Sequence, residues 1–373
     1  MAVFFYMCNN GVSAALAQIY GSFPDCSLTA IQMMSMFPGI MTACSAAVQP
    51  WLLRTFSRKG LVISGLLFVG LAALGVQFFH SSLGLLFLWN GMLGIGSGGL
   101  AAPVSALLLR DASGPARYAA NMGLWNASMS LGGIVISVAG SFAAQRFSWL
   151  WCYGANLLDL PAAALCALWL PKADAERVDT AQETQLPGRL LQPKSLWVIL
   201  RAFLFGLVYF IVFPNLTLLL EENGVGGTSL SGIGIGVLMG GGMVMGVLYQ
   251  KLPKGLRRNG APAAAALLCG GSLLLALSGQ SRLCLLAGVF VDGMANSLMV
   301  PTLSRDANAG GDLCIMLTAT AAPALASFLS PFLCNTGMGL LGRTLCADRF
   351  YLAAWGAAAL MVLWWLQDRK NKK

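Results

Sequence analysis

Residues 283–304 read LCLLAGVFVDGMANSLMVPTLS, an apolar stretch in which Asp292 is the one charged side chain. About 20 apolar residues are enough to cross the hydrocarbon core of a bilayer as a helix, so this stretch predicts a membrane span. The composition of the whole chain agrees with it. Of 373 residues, 57% are hydrophobic and 10% are charged, whereas soluble proteins carry roughly 25% charged residues. The sequence therefore predicts an all-α, polytopic membrane protein.

Similar apolar runs, separated by charged or turn-rich breaks, occur about twelve times along the chain. The first six lie near residues 2–20, 28–50, 61–79, 83–109, 119–144 and 148–170, and the second six near 196–219, 230–250, 262–279, 283–304, 314–340 and 350–367. A hydrophilic stretch, Pro171–Lys194, separates the two sets. We expect an N-terminal six-helix bundle over 1–170, a cytoplasmic connector over 171–195, and a C-terminal six-helix bundle with a basic cytoplasmic tail over 196–373.

Lysine and arginine side chains determine the expected orientation. With the N-terminus inside, 18 of the 23 Lys and Arg residues fall in inner segments and 4, Arg349 among them, in outer loops, while Arg201 lies at the inner end of span seven. Basic residues concentrate on the cytoplasmic side of membrane proteins, so we expect both termini in the cytoplasm and a place in the plasma (inner) membrane. This topology explains the net charge of +9 without a nucleic-acid partner. We expect the Arg201 side chain to extend to the inner lipid headgroups.

Two short motifs recur about half a chain apart. Asn90-Gly91-Met92 returns as Asp292-Gly293-Met294, and Arg110-Asp111-Ala112 returns as Arg305-Asp306-Ala307, in the same order and on the same predicted side. Internal repeats of this size are common in transporters. The repeat predicts two pseudo-symmetric six-helix bundles with a substrate path between them.

With six spans, a hydrophilic connector and six related spans, the whole chain resembles the major facilitator superfamily of secondary transporters. Arg58 and Lys59 match the basic end of the family's loop between spans two and three, in which Arg54 stands where the family has an acid. The resemblance implies that these three residues belong to a gating loop at the inner face. It also implies that spans one, four, seven and ten line a central cavity, and that the protein works by alternating access.

Asp292 and Asp159 are the two acids near the middle of the predicted bilayer. Asp292 lies about 9 residues into span ten, which at about 1.5 Å per residue is roughly 13 Å deep in a core about 30 Å thick. A charge at this depth costs at least roughly 2–3 kcal/mol and is usually kept for function. We therefore expect Asp292 to take part in proton coupling and treat Asp159 as a second candidate for it. A structural role, satisfied by a polar neighbour, is the alternative for each and is favoured for Asp159.

Neutral polar side chains on the four expected cavity helices predict a substrate site. We expect it to include Asn9, Asn10, Asn90, Tyr209, Asn215 and Asn296. Amides and a phenol hydrogen-bond to an uncharged or cationic organic solute, although Asn side chains also join helices within membranes. No Lys or Arg lies at mid-depth in these spans, so small multivalent anions are disfavoured as substrates. In span eight, Gly232, Gly236 and Gly240 recur every four residues and predict close helix packing.

Enzyme signatures are missing from the sequence. It has one histidine and no Gly-Lys phosphate loop, His-Glu-x-x-His or Gly-x-Ser-x-Gly motif, so neither an enzyme nor a metal or cofactor site is expected. We expect a secondary transporter of a small organic solute, driven by protons and active as a monomer, with export slightly favoured over import. An importer or facilitator of a neutral nutrient is the alternative with the same fold. A non-transporting membrane sensor or scaffold is the alternative from another class.

Overall fold

A computed structural model of the chain describes residues 10–110, 115–169, 193–249, 251–253, 255–256, 259–307, 318 and 321–370, and only the backbone at 10, 11, 50, 53, 54, 101–110, 115–130, 193, 194 and 370. Most of the expected connector, 171–195, lies outside the described residues. Over the described ranges the chain forms helices and no strands. It divides into two compact units, an N-terminal unit (Met1–Glu183) and a C-terminal unit (Thr184–Lys373).

The N-terminal unit contains seven described α-helices. They are α1 (Asn10–Ala14), α2 (Leu16–Ser22), α3 (Leu28–Thr55), α4 (Arg58–Phe78), α5 (Leu83–Arg110), α6 (Pro115–Arg146) and α7 (Asp159–Trp169). Two short 3₁₀-helices, Trp149–Cys152 and Gly154–Leu158, precede α7 and form span six with it. Ser27 and Ser57 begin α3 and α4, because each hydroxyl accepts a backbone N–H of the first helical turn.

The C-terminal unit also contains seven described α-helices. They are α8 (Pro193–Tyr209), α9 (Val212–Glu222), α10 (Thr228–Tyr249), α11 (Gly260–Ala276), α12 (Arg282–Ala307), α13 (Ala322–Leu340) and α14 (Cys346–Lys370). The helices α8 and α9 together form span seven. Over the whole described chain, seven segments are long and apolar enough to cross a membrane, and shorter apolar helices add to them. The predicted all-α polytopic membrane fold is confirmed.

Glycines bring α5 close to both of its neighbours in the N-terminal unit. A Cβ on Gly94 would collide with the Pro38 carbonyl oxygen of α3, and a Cβ on Gly96 would lie 2.7 Å from the Gly65 carbonyl oxygen of α4. Hydroxyl and amide groups of α3 use this close approach. The Gln49 side-chain amide, for example, donates to the Gly98 carbonyl of α5 at 2.6 Å. Bare backbone and interhelical hydrogen bonds thus hold α5 between α3 and α4.

The C-terminal unit repeats this arrangement with α12 between α10 and α11. A Cβ on Gly293 of α12 would collide with the Leu238 carbonyl of α10, and a Cβ on Gly288 would lie 3.0 Å from the Gly271 carbonyl oxygen of α11. The helix that carries Asn90 and the helix that carries Asp292 therefore have corresponding neighbours.

Candidate functional site

The carboxyl group of Asp292 is buried inside the C-terminal unit, where α12 passes α11. The residue is 0% exposed, and neither carboxyl oxygen has a hydrogen-bond partner among the described residues. Gly271 of α11 leaves room for this group. A Cβ there would collide with the Asp292 Oδ1 atom and lie 2.9 Å from the Gly288 carbonyl oxygen. The missing side chain at Gly271 is what allows the carboxyl group to enter the contact between the two helices.

Two buried neutral polar side chains lie on the helices that pack against α12. Tyr209, at the end of α8, is buried, and α8 packs against α12, the helix that carries Asp292. Ser272, next to Gly271, has a buried hydroxyl oxygen with no partner in the part of the chain that the structure describes. An ionised carboxylate is costly in such surroundings unless it is paired. A change of charge at Asp292 therefore has to accompany a change in its surroundings.

Span seven is interrupted between α8 and α9, and Asn215 lies one turn beyond the interruption. The Asn215 amide nitrogen donates to the Ile211 carbonyl at 2.7 Å, and its oxygen accepts from the Arg349 Nη1 atom at 2.7 Å. Arg349 belongs to α14, so this bond joins helices that are distant along the chain. The sequence placed Arg349 in an outer loop and gave no sign of the contact, because no local spacing relates residues 134 positions apart.

Asn90 ties α5 to two other helices of the N-terminal unit. It is 0% exposed, and its amide nitrogen lies 3.0 Å from the Tyr153 hydroxyl, 3.0 Å from the Met34 sulfur and 2.8 Å from the Leu86 carbonyl. Its amide oxygen has no partner among the described residues. Tyr153 is itself fully buried between the two 3₁₀-helices of span six. Asn90 thus joins α3, α5 and span six within one unit.

Asp159 is the second buried acid, and it begins α7. It is 1% exposed, and neither of its carboxyl oxygens has a partner among the residues that the structure describes. Asn156, one turn earlier, is 0% exposed, and both polar atoms of its side chain are likewise unpartnered within the described chain. Among the described residues, Asp159 and Asn156 are thus two buried polar side chains in the same part of span six.

The loop predicted to act as a gate lies between α3 and α4. The Lys59 Nζ atom donates to the Ala167 carbonyl at 2.7 Å, which joins the start of α4 to the end of α7. The Arg58 Nε atom is buried without a partner among the described residues. For Arg54 only the backbone is described.

The predicted polar residues fall into separate groups. Asn90 and Asp159 belong to the N-terminal unit, and Tyr209, Asn215, Asp292 and Asn296 belong to the C-terminal unit. Of the C-terminal group, Tyr209 and Asp292 are buried, Asn215 pairs with Arg349, and Asn296 is half-buried on α12. Asn9 lies outside the described residues, and only the backbone of Asn10 is described.

The close contact between α10 and α12 is made by Gly241 and not by Gly240, one of the three glycines that the sequence predicted. Gly232 and Gly236 are buried, but a Cβ on Gly240 would meet no atom within 4 Å. A Cβ on Gly241 would collide with the Phe290 carbonyl of α12. The face of α10 that packs on α12 is therefore shifted by one residue from Gly240 to Gly241.

Arg201 is buried in the C-terminal unit, so the expectation that its side chain extends to the headgroups is wrong. Its Nη2 atom donates to the Asp368 Oδ1 atom at 3.1 Å, and its Nη1 atom lies 4.0 Å from the Asp306 Oδ2 atom. The guanidinium carbon lies 5.6 and 5.8 Å from the ring centres of Trp197 and Trp364. Ion pairing and ring contacts keep this cation inside the protein and join α8, α12 and α14.

Comparison with known proteins identifies the family. The family model of the Major Facilitator Superfamily matches residues 1–311, and the chain belongs to that superfamily. No curated protein matches the sequence. Among solved structures, an aspartate-to-alanine variant of the nucleoside transporter NupG has a similar fold, with a TM-score of 0.79 at 12% sequence identity over 98% of this chain and 97% of that chain.

These matches confirm the superfamily resemblance and the fold that the sequence predicted. The protein is a multi-pass membrane protein and a transporter rather than an enzyme.

Proposed function

We propose that this transporter moves a small neutral or cationic organic solute across the plasma membrane by alternating access, coupled to protons through Asp292. The observation that carries the proposal is the Asp292 carboxyl group, which is 0% exposed and unpartnered among the described residues. A group in such a place gains or loses a charge only when its surroundings change. Proton transfer at Asp292 is thus tied to conformation, as coupled transport requires.

The chemistry near Asp292 favours a substrate without negative charge. The buried polar side chains Tyr209 and Ser272 on the two neighbouring helices are neutral, and no salt bridge of the described chain includes Asp292. Asn215 and Asn296 lie in the same unit and provide amides for hydrogen bonding, as Asn9, Asn10 and Asn90 do in the other unit. Nucleosides belong in the first panel of test solutes, since the structurally similar NupG is a nucleoside transporter.

The direction of transport and the assembly complete the proposal. We infer a functional monomer with both termini in the cytoplasm, in which Asp159 is a secondary proton group and Arg54, Arg58 and Lys59 form the inner gating loop. Export is slightly favoured, and import or facilitated diffusion of a neutral nutrient is the alternative. Accumulation of substrate in expressing cells, rather than its extrusion, would favour the alternative.

The test is substrate-triggered proton flux in proteoliposomes that contain an internal pH dye. Wild-type protein, Asp292→Asn and a control, Asp25→Asn, receive a panel of neutral and cationic solutes. Asp25 is exposed, so its replacement has the same chemistry without touching the site. We expect proton movement in the wild type and the control, and its loss in Asp292→Asn.

Three other outcomes would each reject a part of the proposal. Equal proton movement in wild type and Asp292→Asn would remove Asp292 from the coupling step. Solute flux without proton movement in the wild type would indicate a facilitator or a carrier coupled to another ion. Complete absence of solute flux would favour a non-transporting sensor or scaffold.

A further inference from the structure

The end of α14 carries two adjacent tryptophans in different surroundings. Trp364 is fully buried, whereas Trp365 is exposed. Asp368 follows Trp364 by four residues, and Arg369 follows Trp365 by four residues. Side chains four residues apart lie on the same face of a helix. The end of α14 therefore has a buried face with Trp364 and an exposed face with Trp365.

The buried face is paired with Arg201 of α8. The Arg201 Nη2 atom donates to the Asp368 Oδ1 atom at 3.1 Å and to the Gln367 Oε1 atom at 3.3 Å. The guanidinium carbon of Arg201 also lies 5.8 Å from the ring centre of Trp364. The negative charge of Asp368 is thus balanced within the protein, and it does not offset the positive charge of Arg369 on the other face.

The exposed face holds Arg369 against an aromatic ring. The Arg369 guanidinium carbon lies 3.7 Å from the ring centre of Trp365, which is a close cation–π contact. Arg369 is exposed, and no salt bridge of the described chain includes it. The planar guanidinium group can lie on a ring and still donate its N–H groups to an acceptor. Trp365 therefore presents a cation to whatever surrounds this end of the helix.

The helix ends at the depth of the lipid headgroups. The apolar segment Cys346–Arg369 has 24 residues, which at about 1.5 Å per residue is about 36 Å, and the hydrocarbon core is about 30 Å thick. Arg369, the last residue of this segment, therefore reaches beyond the hydrocarbon. Val362 and Leu366 are exposed apolar residues on the same side of α14 as Trp365, so this side faces lipid.

Basic residues are concentrated at this end of the sequence. Four of the last five residues are basic, namely Arg369, Lys370, Lys372 and Lys373. A cluster of basic residues directly after a membrane span attracts anionic lipids of the cytoplasmic leaflet, and the predicted topology places this end of α14 in the cytoplasm. Guanidinium groups also bind phosphate through two parallel hydrogen bonds.

We propose that Trp365 and Arg369, together with the lysines that follow them, form a binding site for the headgroup of an anionic phospholipid. The Arg369 guanidinium group binds the lipid phosphate, the Trp365 ring holds that group at the membrane surface, and the lysines add positive charge. The site is separate from Asp292 and does not depend on the proposed proton coupling.

Thermal unfolding of the purified protein in dodecyl maltoside tests the site without any transport. Phosphatidylglycerol, phosphatidylcholine with the same acyl chains, and inorganic phosphate are titrated separately at constant pH and ionic strength. A ligand that binds the folded protein raises the unfolding midpoint in a saturable way. We expect a saturable rise with phosphatidylglycerol that neither phosphatidylcholine nor inorganic phosphate produces.

Substitutions at the exposed face separate a built site from general attraction of charge. Arg369→Gln should lower the apparent affinity for phosphatidylglycerol about fivefold. Arg369→Lys keeps the charge but loses the planar group, and Trp365→Leu keeps every charge but loses the ring, so each should also lower this affinity. The matched control is Arg146→Gln, which removes an equal charge from an exposed position at the end of α6 and should keep the wild-type affinity.

Several results would overturn the site. An equal rise with phosphatidylcholine would remove the preference for anionic lipid, and an equal rise with inorganic phosphate would indicate a site for a soluble anion. Wild-type affinity in Arg369→Gln, Arg369→Lys or Trp365→Leu would remove the contact between Arg369 and Trp365 from lipid binding. An equal loss in Arg146→Gln would reduce the effect to net charge. Because binding is measured without flux, each result leaves the proton coupling at Asp292 untouched.

Discussion

Replacement of Gly271 by alanine is a direct test of how the Asp292 carboxyl group is accommodated. The new methyl group would collide with the Asp292 Oδ1 atom and lie 2.7 Å from the Asp292 Cγ atom. The Gly288 carbonyl oxygen, 2.9 Å away, blocks the other direction. Either the carboxyl group leaves its position or α11 and α12 move apart. Gly270→Ala is the matched control, because a Cβ on Gly270 meets no atom within 4 Å.

The expected magnitude follows from two opposing terms. Alanine in place of glycine stabilises a helix by roughly 1 kcal/mol, and this term acts in both variants. An extra methyl group in a well-packed interior costs about 1–3 kcal/mol, and this term acts in Gly271→Ala alone. The two variants should therefore differ in unfolding free energy by about 1–3 kcal/mol, which is a difference of several degrees in the unfolding midpoint at roughly 2–4 °C per kcal/mol.

Two measurements on the same pair of variants separate stability from coupling. Thermal unfolding in detergent gives the difference in midpoint, and the proteoliposome assay gives substrate-triggered proton flux. We expect Gly271→Ala to unfold at the lower temperature and to lose proton flux, while Gly270→Ala keeps wild-type flux. If the two variants were alike in both measurements, the carboxyl group would not depend on the space that Gly271 leaves.

Two more predictions concern packing and charge in the C-terminal unit. Gly293→Ala places a Cβ against the backbone carbonyl of Leu238, which cannot rotate away, so we expect the free energy of unfolding to fall by about 1–3 kcal/mol. The control, Gly246→Ala, has open space around the new Cβ and should be neutral or stabilising. A lower unfolding midpoint for Gly246→Ala than for Gly293→Ala would contradict this packing. Arg201→Met removes the 3.1 Å bond to Asp368 and should lower the unfolding free energy by about 1.5–3 kcal/mol. An unchanged midpoint would show that the buried ion pair adds no stability.

The sequence predicted the spans well because hydrophobic runs and breaks are local signals. It also predicted that Asp292 lies within a long apolar run, and the structure places Asp292 inside α12 (Arg282–Ala307). It could not predict which atoms meet that carboxyl group. Gly271 lies on a different helix, and nothing in the pattern of α11 distinguishes it from Gly270. The contact between Asn215 and Arg349 was missed for the same reason, because tertiary packing alone brings α9 and α14 together.

Two related positions of the internal repeat carry side chains with different surroundings. Asn90 and Asp292 occupy corresponding helices, each packed between two neighbours through glycines. In the N-terminal unit the Asn90 amide nitrogen is within hydrogen-bond distance of Tyr153, so this side chain contributes to the joining of helices. In the C-terminal unit both oxygens of Asp292 lack a partner among the described residues. A shared backbone arrangement thus holds a bonded amide in one unit and, in the other, an acid with no partner among the described residues, and the proton coupling proposed for Asp292 depends on this difference.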